Sequence, residues 1–177
     1  MRKLISYVAF VSATFLMISC GGKTKTDGTA EKTDEAATET PAASSVDPST
    51  LPVKEVTIQA VGNSMAEMKY DVVEIEVAAS QKVKINLENK GTDAAMQHNI
   101  VFVLPGTSQT VATDGLKAGG DKGYVPESAN VIAASKMLGP GENTVLEFVA
   151  PAAPGKYEYV CTYPGHNMMM KGILVVK

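Results

Sequence analysis

Cys161, His166 and Met170 lie on one short stretch, Cys161-Thr162-Tyr163-Pro164-Gly165-His166-Asn167-Met168-Met169-Met170-Lys171-Gly172, at the spacing Cys-x4-His-x3-Met. A soft thiolate, an imidazole and a weak thioether on one loop suit a copper site that changes oxidation state, because sulfur favours copper(I) and nitrogen accommodates both states. Such a site needs one more imidazole. The chain has two histidines, and the second, His98, sits far upstream in His98-Asn99-Ile100-Val101-Phe102-Val103. The soft donors therefore close on one metal ion. Met168 and Met169 are neighbouring thioethers that compete with Met170 for the sulfur position, and their place in the sequence suits the surface or rim of a site.

These donors must be held by something stiff, and the surrounding pattern is one of strands. Val53–Val61 reads as a first strand. Tyr70–Ala78 and Lys82–Glu88 alternate polar and apolar residues, so each should bury one face. Gln97–Leu104 is more continuously apolar and ends at Pro105-Gly106. Residues 107–130 have weaker periodicity and read as a flap with a short helix. Val131–Ala133 is a short strand, Gly139-Pro140-Gly141 a turn, and Asn143–Val149, Lys156–Cys161 and Met170–Lys177 are the last strands. Seven or eight short strands with regular turns predict an all-β, antiparallel Greek-key sandwich. His98 would then arrive on a strand and the other donors on a loop fixed by Pro164 and the strand after it.

Composition narrows the function. Of 177 residues, 20% are charged and the net charge is −3, with no basic stripe of the kind that binds nucleic acid. Trp is absent and Gly and Pro are plentiful, as fits a fold with many turns. Multicopper oxidases and copper nitrite reductases need many more histidines than two, and a binuclear copper centre needs two cysteines in one loop. The expectation is a binding and electron-transfer protein, not an enzyme. A copper storage or delivery protein is the alternative, encouraged by the Met168-Met169-Met170 run. A sandwich without metal is the bland reading.

The N-terminus reads as an export signal over residues 1–19. Arg2 and Lys3 precede the apolar stretch Ile5–Ile18, and Met17-Ile18-Ser19-Cys20-Gly21 looks like a bacterial lipobox with Cys20 as the lipidated residue. Cleavage nearby with Cys20 left as a free thiol is the other possibility. Exported proteins usually pair their cysteines. Here lipidation of Cys20 and metallation of Cys161 account for both without a disulfide. Residues 21–52 are rich in Thr, Ala, Glu, Ser and Pro and cannot bury enough surface to order. Together with Cys20 they form a linker over 20–52, whose flexible length reaches roughly 30 Å. The folded domain is expected over 53–177, on the periplasmic side or outer surface of the cell envelope.

The chain resembles the azurins, bacterial members of the cupredoxin family of type 1 blue copper proteins. The resemblance covers Val53 to Lys177. It rests on the loop from Cys161 through His166 to Met170-Lys171-Gly172, on Met96-Gln97-His98-Asn99, on Asp114-Gly115 through Asp121-Lys122-Gly123-Tyr124, on Lys136 through Glu142, and on Gly62-Asn63 followed by Met68-Lys69-Tyr70. It implies a mononuclear copper(I)/copper(II) centre with His98, Cys161 and His166 in a plane, Met170 as a distant axial ligand and the Gln97 backbone carbonyl as a weak fifth contact. It also implies that Asn99 ties the His98 segment to the loop near Thr162, and that backbone N–H groups around Asn99 and Tyr163 point at the sulfur. Partners would be redox proteins such as c-type cytochromes or a terminal reductase or oxidase. They would dock on an apolar patch of Met68, Met96, Tyr163, Pro164 and Gly165, around an exposed edge of His166. The chain departs from azurin in lacking a cysteine for the disulfide near the first strands, in carrying aliphatics such as Ile100 where Trp is common, and in placing Gln97 where azurin usually has Gly.

Overall fold

The computed structural model describes residues 50–177. The expected export signal, the expected lipidation site Cys20 and the expected linker up to residue 49 lie outside the described residues.

Alternation in the sequence becomes alternation in burial. In β4 (Lys82–Asn89), Val83, Ile85, Leu87 and Asn89 point inward, and in β9 (Lys171–Val176) so do Gly172, Leu174 and Val176. β1 (Lys54–Val61) contributes Ile58 and Ala60. Period-two strands of this kind bury one face each, and two such faces close on a single core. One sheet runs β2–β1–β4–β7, with β2 at Lys69–Tyr70 and β7 at Asn143–Val149. The other runs β3–β9–β8–β5–β6, with β3 at Glu74–Val77, β8 at Gly155–Val160, β5 at Val101–Val103 and β6 at Val131–Ala134. Between them lie Ile58, Ile85, Leu87, Tyr70, Phe102, Tyr159 and Leu174, all essentially without solvent exposure.

Three expectations need correction. The run Tyr70–Ala78 is two strands, not one: Tyr70 ends β2 in the first sheet and Glu74 begins β3 in the second. Asp71 makes the break, accepting from the Gln59 N–H at 2.7 Å through its carboxylate and donating its own N–H to the Gln59 carbonyl. That split raises the strand count among the described residues to nine. The sheets are also mixed and not purely antiparallel, since β1 pairs β4 in parallel and β3 pairs β9 in parallel. The chain crosses to the other sheet between β2 and β3 and returns for β4, and strands joined through such a crossover can run in parallel. Finally, the Gln97–Leu104 strand is ladder-paired only over Val101–Val103; His98 makes an isolated bridge to Leu138.

The expected flap helix is α1 (Ser108–Ala118), followed by a 3-10 turn at Gly120–Lys122. It explains why β5 is apolar on both faces. Phe102 faces the main core, while Val101 and Val103 meet Val111 of α1 in a small second core.

Glycine is required at one close approach that shapes the sheet. A Cβ on Gly172 would overlap the Tyr159 ring, which occupies the space a side chain would take. That ring packs on Tyr70 and Phe102, and its hydroxyl donates to the Val72 carbonyl at 2.7 Å.

Candidate metal centre

Two chain segments meet at one end of the sandwich. The first is Met96-Gln97-His98-Asn99, which leads into β5. His98 donates its N–H to the Leu138 carbonyl at 3.0 Å, and its carbonyl accepts from the Leu138 N–H at 2.8 Å. Asn89, at the inward end of β4, donates through Nδ2 to the carbonyls of Met96 and Leu138, at 2.7 and 3.2 Å. One buried amide thus fixes both sides of the His98 bridge. Sequence reasoning missed Asn89. Its signal is a polar residue in the inward phase of an alternating strand.

The second segment is the loop from β8 to β9. His166 N–H donates to the Tyr163 carbonyl at 3.0 Å across Pro164-Gly165, and Gly165 has φ 81° and ψ −13°. Those are the angles of the second corner of a type II turn, which glycine adopts without strain, and proline suits the first corner. A 3-10 turn over His166–Met168 then carries the chain to Met170. Met170 is fully buried; its N–H donates to the His166 carbonyl at 2.9 Å and its carbonyl accepts from Cys161 N–H at 3.0 Å. Met168 and Met169 are exposed.

Asn99 joins the two segments. Its Nδ2 donates to Thr162 Oγ1 at 2.8 Å and to the Gly123 carbonyl at 3.1 Å, and its Oδ1 accepts from Thr162 N–H at 2.9 Å. The flap also reaches the site through its aromatic residue. Tyr124 packs edge-on against Tyr163, with ring centres 5.5 Å apart, and Tyr163 lies 4.6 Å from the His166 ring.

These restraints bring three donors together. Cys161 Sγ lies 4.0 Å from His98 Nδ1 and 3.9 Å from His166 Nδ1, and the two nitrogens are 3.2 Å apart. All three residues are buried. The point equidistant from three atoms so spaced, the circumcentre of their triangle, lies about 2.2 Å from each, within the usual range of metal–nitrogen and metal–sulfur bonds. The donor set and its spacing therefore fit one copper ion.

Electrostatics agree with that fit. Burial pushes the Cys161 thiol up to about 11, opposed by the backbone N–H groups of Asn99 and Tyr163 and by the Tyr70 hydroxyl, which favour the thiolate. Burial, and then the neighbouring His166, push His98 down to about 4; burial alone lowers His166. Both imidazoles are thus neutral and ready to donate lone pairs near neutral pH. The ring nitrogen of His98 that faces away, Nε2, is buried without a hydrogen-bond partner.

The family model "Copper binding proteins, plastocyanin/azurin family" matches residues 56–177. The chain belongs to that family. Auracyanin-A of Chloroflexus aurantiacus is 40% identical to this cupredoxin over 124 residues, spanning 68% of this chain and 74% of the relative. Azurin of Pseudomonas fluorescens biotype C is 37% identical over 121 residues, spanning 65% and 94%. The solved structure of auracyanin A, a "blue" copper protein from Chloroflexus aurantiacus, superposes with a TM-score of 0.63 at 36% identity and covers 71% of this chain and 100% of that one. The fold is the cupredoxin β-sandwich and the cofactor is one copper.

Two expectations about the site's surface are overturned. Met68 and Met96 are 0% and 5% exposed, so neither lies on a docking rim. Both belong to the main core, Met68 at the mouth of β2 and Met96 under the Asn89 amide. His166 does not present an open edge either, being 1% exposed beneath the Tyr163 ring. Tyr163 and Pro164 are half-buried and Gly165 is exposed. The exposed thioether beside the turn is Met65, whose methyl lies 3.1 Å from where a Gly165 Cβ would sit. Gln97 is half-buried and is not among the positive-φ residues, so its side chain costs the backbone nothing there.

Proposed function

We propose that this cupredoxin is a mononuclear blue copper electron carrier of the cell envelope, with His98 Nδ1, Cys161 Sγ, His166 Nδ1 and the Met170 thioether as ligands and the Gln97 carbonyl as a weak further contact. The observation behind the reading is the triangle of one sulfur and two nitrogens, buried and spaced for one ion. Copper in such a set supplies reversible one-electron chemistry. What this chain's residues contribute is constancy. Asn99 and Thr162 lock the loop to the His98 segment, Asn89 locks that segment to β4, and β9 continues directly from Met170. Ligands so restrained cannot rearrange much, and hydrogen bonds behind the ligands set both their orientation and their donor strength.

Burial of all the donors weighs against copper delivery, which favours ligands that exchange with an acceptor. Exposed apolar side chains stand at the loop: Met65 against Gly165, Leu116 of α1 in the cleft with Pro164 and Gly165, and Met168 and Met169 later on the same loop. A patch of this kind suits weak docking to a redox protein such as a c-type cytochrome or a terminal reductase or oxidase. Tethering to a membrane through lipidated Cys20 is supported by the sequence of residues 1–20.

The visible spectrum of the copper-loaded protein tests the assignment. Wild type should show an intense blue band that bleaches with one electron. Cys161→Ser should lose it, and Met170→Leu should keep it with a raised potential. Blue colour in the serine variant would refute the assignment. For the tether, the wild-type protein should partition with membranes and Cys20→Ala should be exported in soluble form; a soluble wild type would refute it.

A further inference from the structure

Tyr70 ends β2 deep inside the sandwich, 1% exposed, and its hydroxyl donates to the backbone carbonyl of Asn99. Asn99 is the residue whose backbone N–H points at the Cys161 sulfur and whose side chain binds Thr162. The Tyr70 hydroxyl also stands near that sulfur, where it favours the thiolate. One phenol therefore binds the residue that supports the thiolate and acts on the thiolate itself. The ring is not free to withdraw: it packs on Tyr159 with centres 5.7 Å apart, and Asp71 pins the end of β2 to Gln59.

We infer that Tyr70 is a positioning residue for the Cys161 thiolate: its hydroxyl holds Asn99, whose N–H points at sulfur, and its one proton, held by the Asn99 carbonyl, is shared with the adjacent sulfur as negative charge builds there, which makes the site easier to reduce. This inference rests on the copper reading above. Its physical basis is the change in charge at sulfur. When an external one-electron reductant reduces the site, total positive charge falls by one and the sulfur holds more negative charge. Hydrogen bonds to a more charged acceptor are stronger, so the donor stabilises the reduced state more than the oxidised one. The ordinary alternative is that Tyr70 is simply a buried tyrosine whose hydroxyl has found a carbonyl, as buried tyrosines do.

Tyr159 supplies the control. It is an equally buried tyrosine in the same aromatic cluster, but its hydroxyl donates to the Val72 carbonyl and not toward sulfur. Tyr70→Phe and Tyr159→Phe each remove one buried hydroxyl. In copper-loaded protein, Tyr70→Phe should weaken the equilibrium for electron uptake by roughly threefold to tenfold, tenfold being about 59 mV for one electron. Its sulfur-to-copper band should move to longer wavelength, because the sulfur electrons are less stabilised. Tyr159→Phe should leave both unchanged. A potential and band equal to wild type in Tyr70→Phe, or equal shifts in both variants, would overturn the inference.

A second measurement needs neither copper nor a variant. In zinc-loaded wild-type protein, proton NMR should show the Tyr70 hydroxyl as a resolved, slowly exchanging signal coupled through space to the Asn99 segment. A hydroxyl exchanging as fast as that of an exposed tyrosine would overturn the inference even if Tyr70→Phe failed to fold. Wild-type copper protein without a blue band would instead defeat the carrier reading, and the zinc spectrum would still decide the hydroxyl's contact.

Discussion

Asn99 and Thr162 are bound to each other twice, side-chain Nδ2 to Oγ1 at 2.8 Å and backbone N–H to Oδ1 at 2.9 Å, although 63 residues separate them. Both are essentially without solvent exposure. The pair closes the two segments that hold the histidines and the cysteine, so it is a structural weld as well as a neighbour of the metal centre. Asn99→Leu leaves the Thr162 N–H buried and unpaired, a defect of about 1–3 kcal/mol, and removes two donated bonds besides. We expect a loss of about 2–4 kcal/mol in denaturant melts of the metal-free protein. In a double-mutant cycle with Thr162→Val the two changes should be non-additive by about 1 kcal/mol or more; strict additivity would show that the weld is not shared.

Metal uptake should release one proton. Burial raises the Cys161 thiol to about 11, so metal-free protein holds that proton at neutral pH, while His98, lowered to about 4, and His166, also lowered, have already lost theirs. Binding needs the thiolate and neutral imidazoles. Zinc(II), which is redox-silent, should therefore release close to one proton per ion in a weakly buffered titration slightly above neutral pH, and none from imidazole. The same shifts set a stability window. Between about pH 6.5 and 4 the unfolded imidazoles bind protons that the folded ones refuse, so the metal-free protein should lose stability as pH falls through that range. Release of two or more protons, or a flat pH profile, would contradict the burial described here.

Gly172→Ala tests the packing beneath the site. The added methyl would overlap the Tyr159 ring, and that ring is held by Tyr70, Phe102 and the Val72 carbonyl. Overpacking of this kind costs about 1–3 kcal/mol. A thermal melt should show the loss, and Tyr159→Leu in the same chain should recover part of it. An alanine variant as stable as wild type would mean that β8 and β9 separate more easily than their register suggests.

The ligand loop is legible in the sequence because metal chemistry imposes residue type and spacing together, and the strands are legible because one-sided burial imposes a period of two. The split of Tyr70–Ala78 into β2 and β3 is harder to read. No Gly or Pro stands at the break, and its mark is the doublet Val72-Val73, where the apolar phase slips by one residue. Such a slip reads equally well as a bulge within one strand. Asn89 is hidden for a different reason: its role depends on carbonyls of Met96 and Leu138, and backbone groups leave no mark in a sequence. The burial of Met68 and Met96 runs against the exposure that loop position suggests, because these thioethers fill the core between the early loop and the His98 segment. Tyr70 poses the opposite problem, since a strand-terminal tyrosine carries no sign that its hydroxyl ends on the carbonyl of Asn99, next to His98.

The docking face can be tested by replacing one exposed thioether and one buried one. Met65 is 51% exposed and sits against Gly165, the residue before His166. A lysine there puts a charge where an apolar partner surface must pack, and it disturbs no core contact. We expect Met65→Lys to slow electron self-exchange at least tenfold while the blue spectrum and melting temperature stay as in wild type. Salt should have only a modest effect on the wild-type rate, because a net charge of −3 provides little steering. Met68→Lys should behave differently. Its side chain is fully buried, and an unpaired ammonium there costs several kcal/mol, so that variant should melt early or fail to fold. Stopped-flow or NMR line-broadening gives the exchange rates. Unchanged exchange in Met65→Lys, in a protein that remains blue and stable, would place the docking face elsewhere on the surface.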